Sequence, residues 1–250
     1  MDDSGHMTTQ QYWEGVHAGQ PRMRLPSLLI ASTRNLQRLL RGYIRPGMDV
    51  LEIGFAPGKQ LAYVASVFGA RVTGLDFSLQ GVTFAKTMFG RLGITADLRC
   101  EDVFATTLPP NSFDFVYSVG LIEHFDDPRP LVRRHVEFLK PGGTTIILIP
   151  NYRDLYGHLQ QYFDPDNLTI HNLNIMTCDA MKALAPADLL SECQTTRVGR
   201  IDPSQVSPHK RWPAGLAKVF HLGFNTLGVL QPFDVAALCP WIALRAVRAR

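Results

Sequence analysis

The chain has 250 residues, 46% of them hydrophobic and 19% charged, with a formal net charge of +3. That length holds one α/β domain with covering segments and can bury a large core. The small net charge, without a dense Lys/Arg run, argues against a phosphate-tracking nucleic-acid surface, and no apolar run approaches the ~18 residues of a membrane span.

The start of the chain shows no signal-peptide pattern, and Ser4-Gly5-His6-Met7 resembles a cloning remnant. Residues 1–48 read as an N-terminal extension. Within it, Leu28, Leu29, Leu36, Leu39 and Leu40 interleave with Arg34, Arg38 and Arg41, which predicts a helix over 27–42. Gly42 and Arg45-Pro46-Gly47 punctuate its end. The core is expected over 49–150, with strands at 49–55, 71–77, 96–102, 113–119 and 144–150. Helices are expected between them at about 58–68, 78–92 and 129–140. Short apolar strands alternating with helical segments predict an α/β fold, a Rossmann-like, doubly wound sheet with helices on both faces. Residues 151–250 are expected to complete the same domain. They read as a helix over 176–190, a sixth strand at 195–201, a seventh at 241–247, and substrate-binding insertions at 151–175 and 202–232.

The most informative stretch is Val50-Leu51-Glu52-Ile53-Gly54-Phe55-Ala56-Pro57-Gly58-Lys59. A hydrophobic run ends in an acid, breaks into a turn with glycines at both ends, and leads into a helix-competent segment. That is the strand, loop and helix N-terminus of a nucleotide-type site. The next strand, Arg71-Val72-Thr73-Gly74-Leu75-Asp76, also ends in an acid, and a carboxylate there suits a ribose diol because it accepts both hydroxyl protons. An adenosine-like cofactor is therefore expected. The dinucleotide fingerprint Gly-x-Gly-x-x-Gly, read from Gly54, would place glycines where the chain has Ala56 and Lys59.

Glu52-x-Gly54-x-Ala56-x-Gly58 resembles motif I of the class I S-adenosylmethionine-dependent methyltransferases, with Ala56 in place of the middle glycine. A methyl group fits there if φ stays negative. Three further segments stand in that family's order: Cys100-Glu101-Asp102-Val103-Phe104 after the third strand, Ser112 to Phe125 with Asp127-Pro128 at the fourth, and Leu139-Lys140-Pro141-Gly142-Gly143 before the fifth. The likeness spans 49–150. It implies a seven-stranded sheet, mostly parallel, with an antiparallel seventh strand. It also implies S-adenosyl-L-methionine as cofactor and S-adenosyl-L-homocysteine as product. The cofactor residues carried over are Tyr12, Glu52, Gly54, Phe55, Ala56, Gly58, Asp76, Phe77, Ser78, Asp102, Val103, Ser118, Val119, Gly120 and Leu121. Among them Asp76 takes the ribose hydroxyls, Phe77 lies against the adenine edge, Asp102 and Val103 hold adenine, and Ser118 to Leu121 pass beneath the methionine.

Methyl transfer is a displacement at a carbon already activated by sulfonium, so the protein mainly aligns the acceptor and excludes water. A hydroxyl acceptor must also lose a proton, and His124 and His171 are the candidate catalytic bases. Asn151, Tyr152, Tyr156 and His158 are the candidate acceptor contacts. Asp154 and His158 share a helix face but lack a third ligand, and no metal is expected. The expected reaction is O-methylation of a small polar or aromatic molecule of secondary metabolism, with N- or C-methylation second. A non-catalytic cofactor-binding partner subunit is the reading from another class. No Asn/Asp-Pro-Pro-Tyr/Phe motif follows the fourth strand, where Ser118-Val119-Gly120-Leu121 stands, so nucleic acid is not the expected substrate; no membrane partner is expected either. Trp212-Pro213 and the apolar Leu216, Val219, Phe220 and Phe224 can close a pocket or form a homodimer face. Four cysteines without metal-like spacing suit reduced thiols in the cytoplasm.

Overall fold

The apolar runs of the core form strands β1 (Asp49–Ile53), β2 (Arg71–Asp76), β3 (Asp97–Cys100), β4 (Phe113–Val119) and β5 (Leu139–Pro150), joined later in the chain by β6 (Leu190–Val198) and β7 (Trp241–Arg248). The computed structural model describes residues 7–18 and 23–250; the cloning-remnant reading at 4–6 lies outside them. The seven strands make one sheet of order β3-β2-β1-β4-β5-β7-β6. Pairing is parallel from β3 through β5, and β7 runs antiparallel to both β5 and β6. The strand order reverses between β1 and β4, the switch point beyond whose carboxyl ends open α/β sheets bind ligands.

Helices α2 (Ala31–Arg41), α3 (Lys59–Phe68) and α4 (Leu79–Leu92) cover one face, and α5 (Arg129–Phe138) with α8 (Cys178–Ala183) covers the other. The two-residue period of a strand divides β5 between them. Ile146 and Leu148 join Leu40, Leu61 and Met88 on the first face, while Ile147 and Ile149 join Leu131, Val132 and Met181 on the second. Local sequence sets the helix ends that matter for the site. Ser78 caps α4 by accepting from Gly81 N at 3.1 Å. The left-handed Gly93 at φ 66° stops the same helix.

Several boundaries differ from expectation for identifiable reasons. The helix expected over 27–42 begins at Ala31, because residues 27–30 close a turn through Ile30 N and Ser27 O. The strand expected at 144–150 starts at Leu139, pairing with Phe113 before a register shift that absorbs Pro141 to Gly143. The helix expected over 176–190 is cut to α8: Pro186 cannot continue it, and by Leu190 the chain has entered β6. β6 thus starts before 195. It is an edge strand with mostly half-exposed and exposed residues, so its hydrophobic alternation is weak.

The insertions hold α6 (Leu155–Phe163), α7 (Pro165–Thr169) and the long α9 (Ala214–Leu230). They are clasped by aromatic rings: Phe163 meets Trp212 at 4.8 Å and Phe220 stacks on Phe224 at 4.5 Å between centroids. Burying each such ring contributes roughly 1.5–3 kcal/mol. Phe220 and Phe224 therefore face inward and close the two insertions on each other. Leu216 and Val219 remain 58% and 69% exposed on the outer side of α9.

Candidate functional site

The carboxyl ends of β1, β2 and β4 meet around the glycine loop. Gly54 and Gly58 have φ of 72° and 88°, a region that penalises a side chain. A Cβ on Gly54 would stand 3.1 Å from Leu121, and one on Gly58 would stand 3.0 Å from Ala85. Ala56 lies outside the left-handed region, so its methyl is accommodated as expected. Ala56 N donates to Asp76 Oδ2 at 3.0 Å and Ser78 N donates to Oδ1 at 2.9 Å. Asp76 is only 8% exposed. Burial raises its pKa while these two N–H groups oppose the shift. A carboxylate accepts at about four lone-pair sites, so each oxygen keeps capacity for one hydroxyl of a vicinal diol. The loop cradle and this acceptor set fit a ribose.

Several residues carried over by resemblance build the walls of the site with their side chains and can meet a ligand only through backbone. The Phe55 ring is buried against Gly74, where a Cβ would approach it to 2.7 Å. Ser118 Oγ lies 2.9 Å from His135 Nε2, wholly buried. Ser78 is occupied as the cap of α4. Glu52 is sealed between β1 and β4 with Tyr117 Oη donating to it at 2.7 Å. Burial pushes its carboxyl up to about 8, Tyr117 opposing and the Asp76 charge adding. Asp102 is exposed and accepts from Phe104 N at 2.9 Å, closing the turn after β3, with Val103 packed beneath it.

The segment that carries the candidate Tyr12 forms a helix beside the loop. Helix α1 (Gln10–His17) is strapped across the start of α4. Glu14 accepts from Leu79 N at 2.8 Å, Gln80 N at 3.0 Å and Ser78 Oγ at 3.2 Å. Gln10 Nε2 donates to the Phe77 carbonyl at 3.0 Å. No spacing marks an acid in an extension as a cap for a helix so far along the chain. Tyr12 stays partly exposed, edge-on to Trp13, and the Trp13 ring meets His124 edge-on at 5.1 Å.

Beyond β4, Gly120 at φ 67° turns the chain into a short 3-10 turn, Ile122–His124. His171 arrives from the loop after α7, and the two histidine rings lie 4.5 Å apart. Both candidate bases are therefore brought together. His124 Nδ1 is 2.8 Å from the Ile170 carbonyl and His171 Nδ1 is bonded to the Asn167 carbonyl. A carbonyl only accepts, so each Nδ1 carries the proton and each Nε2 keeps its lone pair. Burial pushes both rings down, His124 to about 4, where the neighbouring His171 adds and the Ile170 carbonyl opposes. Both are neutral near pH 7. Glu123 completes the group: it is 1% exposed, and burial lifts its carboxyl to about 8. In the sequence it stood only within the Ser112 to Phe125 segment, with no role of its own.

Of the four acceptor candidates, Tyr152 alone joins this cluster, its ring edge-on to His171 at 5.3 Å. Asn151 and Tyr156 are both buried and hydrogen-bonded within the fold. Asn151 Nδ2 donates to Asp154 Oδ2 and to the Cys239 carbonyl, and Tyr156 Oη accepts from Asp202 N at 2.9 Å and donates to Leu238 O at 3.3 Å. His158 is exposed, with Nδ1 on the Asp154 carbonyl, while the Asp154 carboxylate pairs with Arg197 at 3.3 Å. Asp154 and His158 therefore form no shared ligand pair. A cavity of about 270 Å³ lies between α2 and the sheet, lined in part by Asn35, Leu36, Gln60, Val119, Leu148 and Trp241.

Residues 51–147 match the family profile described as a methyltransferase domain. Over 104 residues the chain is 34% identical to phosphoethanolamine N-methyltransferase 1 of Arabidopsis thaliana, covering 42% of this chain and 21% of that one. Over 109 residues it is 33% identical to 2-methyl-6-phytyl-1,4-hydroquinone methyltransferase of Synechocystis sp., covering 44% and 34%. The chain thus spans about a fifth to a third of the length of these curated relatives. Its fold is shared with phosphoethanolamine N-methyltransferase 2 of Haemonchus contortus, solved with phosphomonomethylethanolamine and S-adenosylhomocysteine. The TM-score is 0.61 at 20% identity, covering 87% of this chain and 52% of that one. With the motif order, the strand order and the matched profile in agreement, residues 51–147 of this chain carry a methyltransferase domain of the class I S-adenosylmethionine-dependent type.

Proposed function

We propose that the protein binds S-adenosyl-L-methionine across the ends of β1, β2 and β4 and methylates a small molecule, releasing S-adenosyl-L-homocysteine. One observation carries this reading. His124 and His171 lie ring to ring with Glu123 beside the Gly120 turn that follows β4, on the same sheet whose β2 ends in Asp76. When bound, the cofactor supplies a methyl group on a positively charged sulfur. The chain's residues do the rest: Gly54 and Gly58 admit it closely, Asp76 holds the ribose diol, α1 excludes water, and the Glu123–His124–His171 cluster is where an acceptor proton is lost.

That cluster favours O-methylation, because a hydroxyl needs such a proton acceptor. N-methylation is the second reading. It is supported by the likeness to phosphoethanolamine N-methyltransferases and by the Trp13 and Tyr152 rings around the histidines, which suit an amine. Calorimetric titration with S-adenosylhomocysteine, then transfer of labelled methyl to a panel of hydroxyl and amine acceptors, tests both. Micromolar product binding with transfer to a hydroxyl supports the first reading. Binding without transfer to any acceptor favours the non-catalytic partner subunit.

We further assign 1–48 as cover, 49–150 as cofactor core and 151–250 as acceptor half. A homodimer through the outer side of α9 is supported by the exposed Leu216, Val219, Leu222 and Leu230, and light scattering tests it. Among the described residues no helix is long and apolar enough to cross a membrane. The unpaired Cys100, Cys178, Cys193 and Cys239 support a reducing, cytoplasmic compartment.

A further inference from the structure

We propose that Glu123, His124 and His171 form a binding site for a divalent transition-metal ion whose remaining coordination positions are open to an oxygen of the acceptor. The inference deepens the methyltransferase reading and rests on it for the acceptor. It departs from the sequence expectation of no metal.

One ligand atom from each of the three residues lies within 4.8 Å of the others, and all three residues are buried. Bonds of about 2.0–2.2 Å to a tetrahedral ion put ligand atoms roughly 3.4 Å apart, a contraction within reach of side-chain rotation. The two histidines already have the outer bonds that metal-ligating imidazoles carry. Each Nδ1–H is fixed on a backbone carbonyl, Ile170 O or Asn167 O, which leaves Nε2 as the ring nitrogen with a lone pair for a metal. The scaffold is tied as well: Asn172 N donates to Glu123 O at 2.7 Å, joining the loop that bears His171 to the turn that bears the other two ligands.

Glu123 supplies the second, independent observation. Its Oε2 is buried with no hydrogen-bond partner, and no ion pair reaches it among the described residues. Two nearby donors are spent elsewhere: Trp13 Nε1 on Thr8 Oγ1, and Asn172 Nδ2 on the carbonyls of Phe125 and Asp126. A buried carboxyl oxygen left without a partner is costly, and a cation that displaces the proton and sits between it and two imidazole lone pairs satisfies all three groups at once. Two nitrogens and one oxygen suit manganese, iron, cobalt or zinc in the divalent state better than magnesium or calcium. Three protein ligands leave positions for the acceptor. A hydroxyl bound there loses its proton to solvent more readily. Its oxygen then takes the methyl carbon, and the electrons of the broken carbon–sulfur bond stay on sulfur as a neutral thioether.

The test uses the full chain, stripped with chelator and titrated by calorimetry with Mn²⁺ and Zn²⁺, with the visible spectrum of the Co²⁺-loaded protein as a second readout. S-adenosylhomocysteine binding is measured on every sample as a check of fold and cofactor site. The expected result is one ion per chain and a cobalt spectrum of low-symmetry coordination. Both should weaken at least 100-fold in Glu123→Gln and in His171→Gln and stay unchanged in His221→Ala. Protein that binds S-adenosylhomocysteine but takes up no ion would overturn the metal site and leave the methyltransferase reading intact. Ion binding that survives both substitutions also overturns it. Ion binding lost with the variants, in protein that ignores S-adenosylhomocysteine, would support the metal site and sink the methyltransferase reading.

Discussion

Glu52 and Tyr117 are register partners on the adjacent parallel strands β1 and β4, and the Tyr117 hydroxyl donates to Glu52 Oε2 at 2.7 Å with both side chains out of water. Burial holds the Glu52 carboxyl at about 8, against the Tyr117 hydrogen bond and with the Asp76 charge adding. Between its ordinary value of 4.5 and about 8, the folded state keeps a proton that the unfolded state has released. Stability therefore declines as pH rises through that window. Glu52→Gln is expected to flatten the decline, and thermal melts of both proteins across the window check it. Parallel curves for the two would show that Glu52 is not the group responsible.

Asp76 holds two backbone N–H groups with half of its acceptor capacity and is expected to hold the ribose diol with the rest. Asp76→Asn removes charge-assisted bonds of about 1.5–3 kcal/mol each while keeping the shape. Affinity for S-adenosylhomocysteine should fall at least tenfold by calorimetry. An unchanged affinity would move the ribose elsewhere.

Gly58 and Gly93 separate strain from crowding. Both lie in the left-handed region, at φ 88° and 66°, but a Cβ on Gly58 meets Ala85 at 3.0 Å and Phe89 at 3.2 Å, whereas one on Gly93 meets nothing within 4 Å. Gly93→Ala is expected to cost about 1–2 kcal/mol of stability from backbone alone. Gly58→Ala should cost more than that and also weaken cofactor binding. Urea denaturation of the two variants measures the difference, and equal losses would contradict the packing account.

The Glu14 carboxylate fastens α1 to the exposed N–H groups at the start of α4. Glu14→Ala should release α1. Hydrogen exchange would then show lost protection over Gln10–His17 with the sheet unaffected, and S-adenosylhomocysteine would leave several-fold faster. Unaltered exchange in α1 would mean that other contacts, such as Trp13 on His124, hold it alone.

The chain itself determined the alternation of strands and helices over 49–150 and the place of the glycine loop, because both depend on local physics. Short, largely apolar runs such as 50–53 and 146–149, bounded by turn residues, read as strands buried on both faces, and Gly54 and Gly58 supply the left-handed turns between strand and helix. The helix misread over 176–190 and the late start given to β6 mark where local pattern ran out. There Pro186 and an edge strand without clear alternation were decided by pairing with β7. His124 and His171 were visible as candidate bases, but nothing along the chain says that they gather beside Glu123 with its Oε2 left without a partner. Nor does it say that Glu14 caps α4 or that Tyr156 is spent on Asp202. Those relations join segments far apart in sequence. Only the tertiary structure decides them, because the path of the chain over the sheet, rather than any residue's own preference, sets which side chains lose water together.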